Sequence, residues 1–246
     1  MKNINNLKVL GLFFVFFTTV VTAQNKEEKK DTIKSTSKVS YKKLQKEGSK
    51  KEGLFNVYRL KEDIYFEIPD SLLSKDFLIV NKVSQVPYAL NGHGLNKGMA
   101  YETKLIRFYK DTVLNKVWVK TINPRVTSPK NNTITLSVHD NFGESIIEGF
   151  KIESENEKKT SALIKVNRVF DGNDKSFNDL LSNIGLGGSV KTKLSKIEGV
   201  KTFSKNIVVK SLLTTSVSEG KSAALSLSVV VCNRWLLVPH FYYQHI

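Results

Sequence analysis

The sequence predicts an α+β, β-rich fold: antiparallel strands with two or three short helices. Three observations carry this. Large residues alternate at Ile64, Phe66 and Ile68, with Tyr65 and Glu67 on the opposite parity, the period-two signal of a strand. The same alternation recurs in segments bounded by Pro, Gly, Asn and Asp. Two long β-branched runs close the chain, Ile207 to Val217 and Ser222 to Val238, separated by Ser218-Glu219-Gly220-Lys221.

Met1 to Ala23 reads as a signal peptide. Lys2 and Lys8 supply a positive start, and Val9 to Val21 a 13-residue apolar run too short for a membrane span. Val21 and Ala23 place small residues for cleavage before Gln24. The expected location is therefore periplasm, cell envelope or extracellular space. No integral span is expected to remain after cleavage. Residues 24–40 are a Lys-rich flexible tether, in a wider polar stretch that reaches Glu52 and forms a short helix near Tyr41 to Lys46.

Residues 41–86 read as a small N-terminal domain. Leu54, Tyr58 and Leu60 oppose Phe55 and Val57 in a first strand, and Lys61-Glu62-Asp63 makes a tight polar connection to Ile64–Ile68. Pro69 stops that strand because proline cannot donate to a ladder, and Leu72 and Leu73 sit in one helical turn. Phe77-Leu78-Ile79-Val80 is a continuous apolar run, the pattern of a strand covered on both faces.

Residues 94–239 read as a larger β-rich domain. Ser84 to Gly98, with Pro87, Asn91-Gly92, Gly94 and Gly98, is a loop. Tyr101–Lys110 and Leu114–Ile122 form a hairpin turning at Lys110-Asp111. Thr133 to Gly149 fits two periods. The spacing of Val138, Phe142, Ser145, Ile146 and Gly149 favours a helix from about Ser137 to Glu148, followed by a strand Phe150–Glu153. Ala162–Phe170 is a strand. Asp174 is placed to cap a helix carrying Phe177, Leu180, Leu181 and Ile184, which Gly185, Gly187 and Gly188 terminate. Residues 240–246 form an atypical aromatic tail, including Tyr242 and Tyr243.

The chain has 246 residues and a formal charge of +15, while 40% of its residues are hydrophobic, which supports a real core. Such a charge permits contact with nucleic acid or anionic lipid. Many of the lysines lie in the low-complexity tether, however, and read as a solvated tail, so no nucleic-acid partner is expected. Cys232 is the one cysteine and lies in an apolar run, so it reads as a buried, inert thiol.

No catalytic constellation is present. A zinc hydrolase of the common helical kind needs two histidines one turn apart with a glutamate between them. His93, His139, His240 and His245 do not form His-Glu-x-x-His. There is no Gly-x-Ser-x-Gly elbow. Gly185-Leu186-Gly187-Gly188 follows a helix and lacks the Lys-Ser/Thr pair of a phosphate loop. Asn131-Asn132-Thr133 is formally a glycosylation sequon. Catalytic, cofactor and metal sites are all expected to be absent from this chain.

The order of segments nevertheless resembles a known family. GLFNVYRLKEDIYFEIPDSLLSKDFLIVNKVSQ, then GMAYETKLIRFYK, ALIKVNRVFDGNDKSF, VKTFSKNIVVKSLLTT and LSVVVCNRWLLVP are similar to the N-terminal region of exported zinc-dependent metalloproteases of Bacteroidota-type bacteria. Those proteins carry two domains of unknown function, numbered 5118 and 5117, ahead of a metzincin-like catalytic domain. The first would span about Tyr41 to Val86 and the second roughly Gly94 to Val238. The resemblance implies a non-catalytic portion that packs on a catalytic domain, with zinc held there and not here. After Pro239 the residues no longer resemble the family, and the chain ends at Ile246, which reads as a truncated or frameshifted product. The other reading open to the sequence is a stand-alone envelope module that binds peptide or glycan.

Overall fold

A computed structural model describes residues 39–92, 94–126, 133–217 and 225–238 of the chain. The leader, most of the tether, His93, the Asn131-Asn132 sequon positions, the 218–221 connection and the 240–246 tail lie outside the described residues.

The chain opens with helix α1 (Tyr41–Glu47), capped by the Ser40 side chain on the Lys43 N–H. Three strands follow: β1 (Ser49–Lys51), β2 (Asn56–Leu60) and β3 (Asp63–Pro69). Leu60 pairs with Asp63, so the β2–β3 turn is two residues long, with Lys61 at φ 56°. That left-handed conformation suits a hairpin turn following the strand twist. Pro69 ends β3, and a 3-10 turn at Asp70–Leu72 brings Leu72 and Leu73 against the core. Strand β4 (Asp76–Gln85) precedes a single helical turn, α2 (Tyr88–Asn91), inside the segment expected to be all loop.

Strands β5 (Ala100–Asp111) and β6 (Lys116–Thr121) form the expected hairpin. Its turn lies later than Lys110-Asp111: Asp111 accepts from the Leu114 N–H at 2.8 Å and closes it. Helix α3 (Ile134–Asn141) and strand β7 (Ser145–Glu155) correct the helix expected over 137–148. The helix begins earlier and stops at Phe142, and the Ser145–Glu148 stretch pairs with β6 instead. The shared parity of Val138 and Ile146 was coincidental: Ile146 is 55% exposed.

Strand β8 (Ser161–Lys165) also ends sooner than the expected 162–170. Beyond it the Asn167 side chain takes over the ladder, accepting from the Ile64 N–H at 2.8 Å, and the chain turns through a 3-10 helix at Asn167–Val169. Helix α4 (Leu180–Asn183) is shorter than expected and is capped by Asp179. Asp174 closes a local turn on the Ser176 N–H (2.7 Å) and is not the cap. Gly185, at φ 70°, ends α4. Strands β9 (Gly188–Val190), β10 (Lys196–Thr202), β11 (Asn206–Val217) and β12 (Leu225–Val238) complete the described fold.

Among the described residues, all twelve strands belong to one antiparallel sheet. Its order is β1-β2-β3-β8-β7-β6-β5-β4-β12-β11-β10, with β9 on the end of β11. The segments 41–86 and 94–239 thus share one sheet, because β4 lies between β5 and β12. The sheet curls into a nearly closed barrel. At the seam the Leu54 N–H donates to the Phe203 carbonyl at 2.7 Å, and Lys51 Nζ reaches the Val200 carbonyl at 2.9 Å.

The inner face is filled. Phe55, Phe66, Phe77, Ile106, Phe108, Val119, Ile164 and Val209 belong to one buried cluster drawn from strands on every side. Trp235 of β12 sits at its centre, fully buried, with ring centroids of Phe177, Phe66, Phe170 and Phe108 at 5.0, 5.5, 5.5 and 6.0 Å. At one end a second cluster, with Val83, Leu213 and Val231, is covered by Leu90 and Leu180. Leu78 and Val80 of β4, expected to be covered, are only half-buried on the outer face. Cys232, on the same outer face, is likewise half-buried rather than buried.

A patch of the outer face is covered by α1. Leu44 packs with Tyr58, Tyr65 and Leu163. Beneath it the buried Glu67 carboxylate accepts from Asn56 Nδ2 and Tyr58 Oη, both at 3.0 Å, and from Ser161 Oγ at 2.8 Å. Burial alone would raise its pKa, but hydrogen bonds from Asn56, Ser161, Tyr58 and Tyr41 outweigh that and hold it below the usual carboxylate range. Burial and the Glu67 carboxylate push the Tyr58 phenol up in turn.

Two outcomes follow. Trp235→Ala removes the hub of the core and lowers stability by about 3–5 kcal/mol in urea titration. Glu67→Gln lowers stability at neutral pH by about 1–3 kcal/mol, since charged acceptors give the stronger hydrogen bonds. A depressed pKa stabilises above the ordinary carboxylate range and loses its effect as pH falls through the folded value. The gap between the two proteins should therefore narrow below about pH 4 in thermal melts.

Candidate functional surface

The barrel interior is packed, and a hollow of only about 60 Å³ lies at the seam among Val57, Ile64 and Val200. Phe177 enters the interior, its carbonyl accepting from Asn81 Nδ2 at 2.6 Å, and Asn81 also donates to Glu102 (2.8 Å). Lys104 pairs with Glu102 at 2.7 Å and donates to the Ser176 carbonyl. The segment before α4 is thereby fastened inside the barrel wall. Functional chemistry has to be sought on the outside.

Of the residues singled out in the sequence, His93, His240 and His245 lie outside the described residues, as does the His139 side chain, although its backbone lies in α3. Among the described residues no three His, Cys, Asp or Glu side chains come together as a metal would require. Gly185 and Gly188 serve the end of α4 and the start of β9. Cys232 lines a depression of about 460 Å³ on the outer face with Lys82, Phe203, Asn206, Val208 and Arg234. Among the described residues no helix is long and apolar enough to cross a membrane.

The outer face of β5, β6 and β7 is the most organised surface. Register places Tyr109 opposite Trp118, and Trp118 opposite Gly149. A Cβ at Gly149 would lie 2.5 Å from Trp118 Cζ3, so only glycine lets the indole rest against β7. The indole N–H donates to Asp111 at 3.1 Å. The Leu114 N–H, and after it that bond, hold the Asp111 carboxyl below its usual pKa. One residue-pair along, Lys116 stands opposite Lys151. Lys116 Nζ lies 4.8 Å from the Trp118 ring centre, and Lys120 Nζ 4.5 Å from that of Tyr109.

At the other end of this face Arg107 is gripped by the buried Asp76, and also contacts Glu144, which Tyr109 Oη bonds at 2.8 Å. The Asp76 hydrogen bond is the main reason the guanidinium pKa is raised. Arg107 and Glu144 lie at the edge of a hollow of about 600 Å³ beside α3. Its cations and carboxylates are matched, so it carries little net field.

The sequence reading overlooked Trp118, Lys116 and Lys151. Lys116-Val117-Trp118-Val119-Lys120 is a clear alternation that puts the aromatic and both cations on one face. The meeting with Lys151 and Gly149 depends on register, which the sequence does not disclose.

Family comparison adds the following. The profile described as domain of unknown function 5118 matches residues 38–86, and that described as domain of unknown function 5117 matches residues 98–245. No curated protein and no solved structure matches the chain. With most of its length accounted for by the second profile, the chain belongs to the family described as domain of unknown function 5117 and carries a domain of unknown function 5118 segment ahead of it.

Proposed function

We propose that this chain is the non-catalytic N-terminal portion of an exported zinc-dependent metalloprotease, which packs against and positions a catalytic domain. Zinc and the hydrolytic residues belong to that other domain. The two matched segments stand in the order of the protease family that the sequence resembles. The observation that carries the reading is the outer face of β4, β12 and β11. There Leu78, Val80, Leu236 and Val208 remain half-buried around the exposed Arg234, which stands between Val80 and Val208, with Lys82 at the edge. A half-apolar patch set around a cation suits a partner surface that brings apolar side chains and a carboxylate to meet it.

Two measurements test it. The purified chain with Zn²⁺ should leave casein intact, and chelator-sensitive cleavage would refute the non-catalytic reading. In a pull-down with the zinc-binding domain of a full-length family member, Val80→Glu and Leu236→Glu should each weaken association by at least about tenfold. Equal binding by wild type and both variants would remove this face from the proposal.

A further inference from the structure

We propose that the outer face of β6 and β7 is a binding site for an acidic oligosaccharide, with Trp118 stacking on a sugar ring and the Lys116–Lys151 pair taking its carboxylate or sulfate. The site is independent of the patch on β4, β12 and β11 and goes beyond the protease-associated role.

Charge is the first argument. Lys116 and Lys151 are direct cross-strand partners, an arrangement that repels and costs stability. Among the described residues neither has a carboxylate within ion-pair distance, whereas their neighbours Lys165 and Arg168 are paired, Lys165 with Asp63 at 2.7 Å and Arg168 with Glu148. Asp111, which feels the Lys116 charge, is already engaged by the Leu114 and Trp118 N–H groups. All four cations border one depression of about 400 Å³. Two carboxyls, Glu153 and Asp171, share that border; Asp171 accepts from the Asn173 N–H and is only partly exposed. The bordering residues themselves are four cations and two carboxyls, with Asp63 and Glu148 offsetting Lys165 and Arg168, and an anion placed between Lys116 and Lys151 removes the repulsion of that pair.

Shape is the second argument. Trp118 is not a loosely attached surface aromatic. Its ring is seated on Gly149, and its N–H is fixed by Asp111, so one π face is presented outward at no further ordering cost. Lys116 Nζ now rests over that face. A sugar ring taking its place frees the ammonium to swing onto the anion. The Asn173 amide at the same depression is available for hydroxyls. A fixed aromatic beside unmatched cations also fits single-stranded nucleic acid. One ring that rests on backbone favours a single stacked sugar over a run of bases.

Trp118 itself provides the readout. The sequence has two tryptophans, and the other, Trp235, is fully buried. The full chain is titrated with tetragalacturonate, maltotetraose and a dT oligomer of equal charge at about 150 mM salt, where surface fields are screened beyond about 8 Å. Tetragalacturonate should change the emission, and maltotetraose and dT should not. Trp118→Phe should abolish the response. K116A/K151A should weaken binding by at least about tenfold while raising the melting temperature. Gly149→Ala, which displaces the indole but keeps every cation, should also lose binding. K42A/K43A, two exposed lysines on α1, should leave affinity within about twofold. Equal binding of maltotetraose or dT, an equal loss in K42A/K43A, or no response to tetragalacturonate overturns the proposal.

Discussion

The pairing of β4 with β12 is the constraint on which the rest depends. It runs from Gln85 opposite Val230 to Asp76 opposite Val238 and joins the segment of the shorter profile to the last strand of the longer one. The same strand carries Trp235 into the middle of the aromatic cluster. Without that ladder the sheet would split between β4 and β12, and Phe55, Phe66 and Phe108 would lose the ring they surround. Two segments that profiles separate are therefore one cooperative unit in physical terms. Neither has a complete inner face of its own.

Filling the barrel has a cost in polar burial, and the fold meets it unevenly. Asn81, Glu102 and Lys104 are tied to each other and to the chain crossing the interior. Glu67 is satisfied from three neighbours, one of which, Ser161, also meets the Tyr41 hydroxyl of α1 at 3.2 Å. By contrast, among the described residues Lys116 and Lys151 face each other across the strands with no ion-pair partner. Departures from local optimum of this kind tend to coincide with binding.

Much of the framework was legible in the sequence. The alternation at Ile64–Ile68, the stop at Pro69, the 101–122 hairpin and the long final strands all reappear, because period two and turn residues act locally. What failed has a common cause. Ile146 had helical spacing but was claimed by a strand partner, β6. The Val166–Phe170 stretch looked like a strand until Asn167 replaced a backbone acceptor. Leu78 and Val80 looked doubly covered, yet only one face of β4 meets the core. In each case tertiary pairing overrode a local pattern. The surface around Trp118 was hidden for the same reason: its parts lie on different strands and meet only through register.

The seam between Leu54 and Phe203 carries a consequence of its own. Between the other neighbouring strands the described wall is held by backbone ladders, while here a backbone bond, the Thr202 hydroxyl on the Phe55 carbonyl and a lysine tip bridge the gap. Opening there exposes little apolar area compared with parting any two inner strands. The barrel thus has a designated place to breathe, and amide exchange with solvent will begin beside β1 and β10 and reach β12 last.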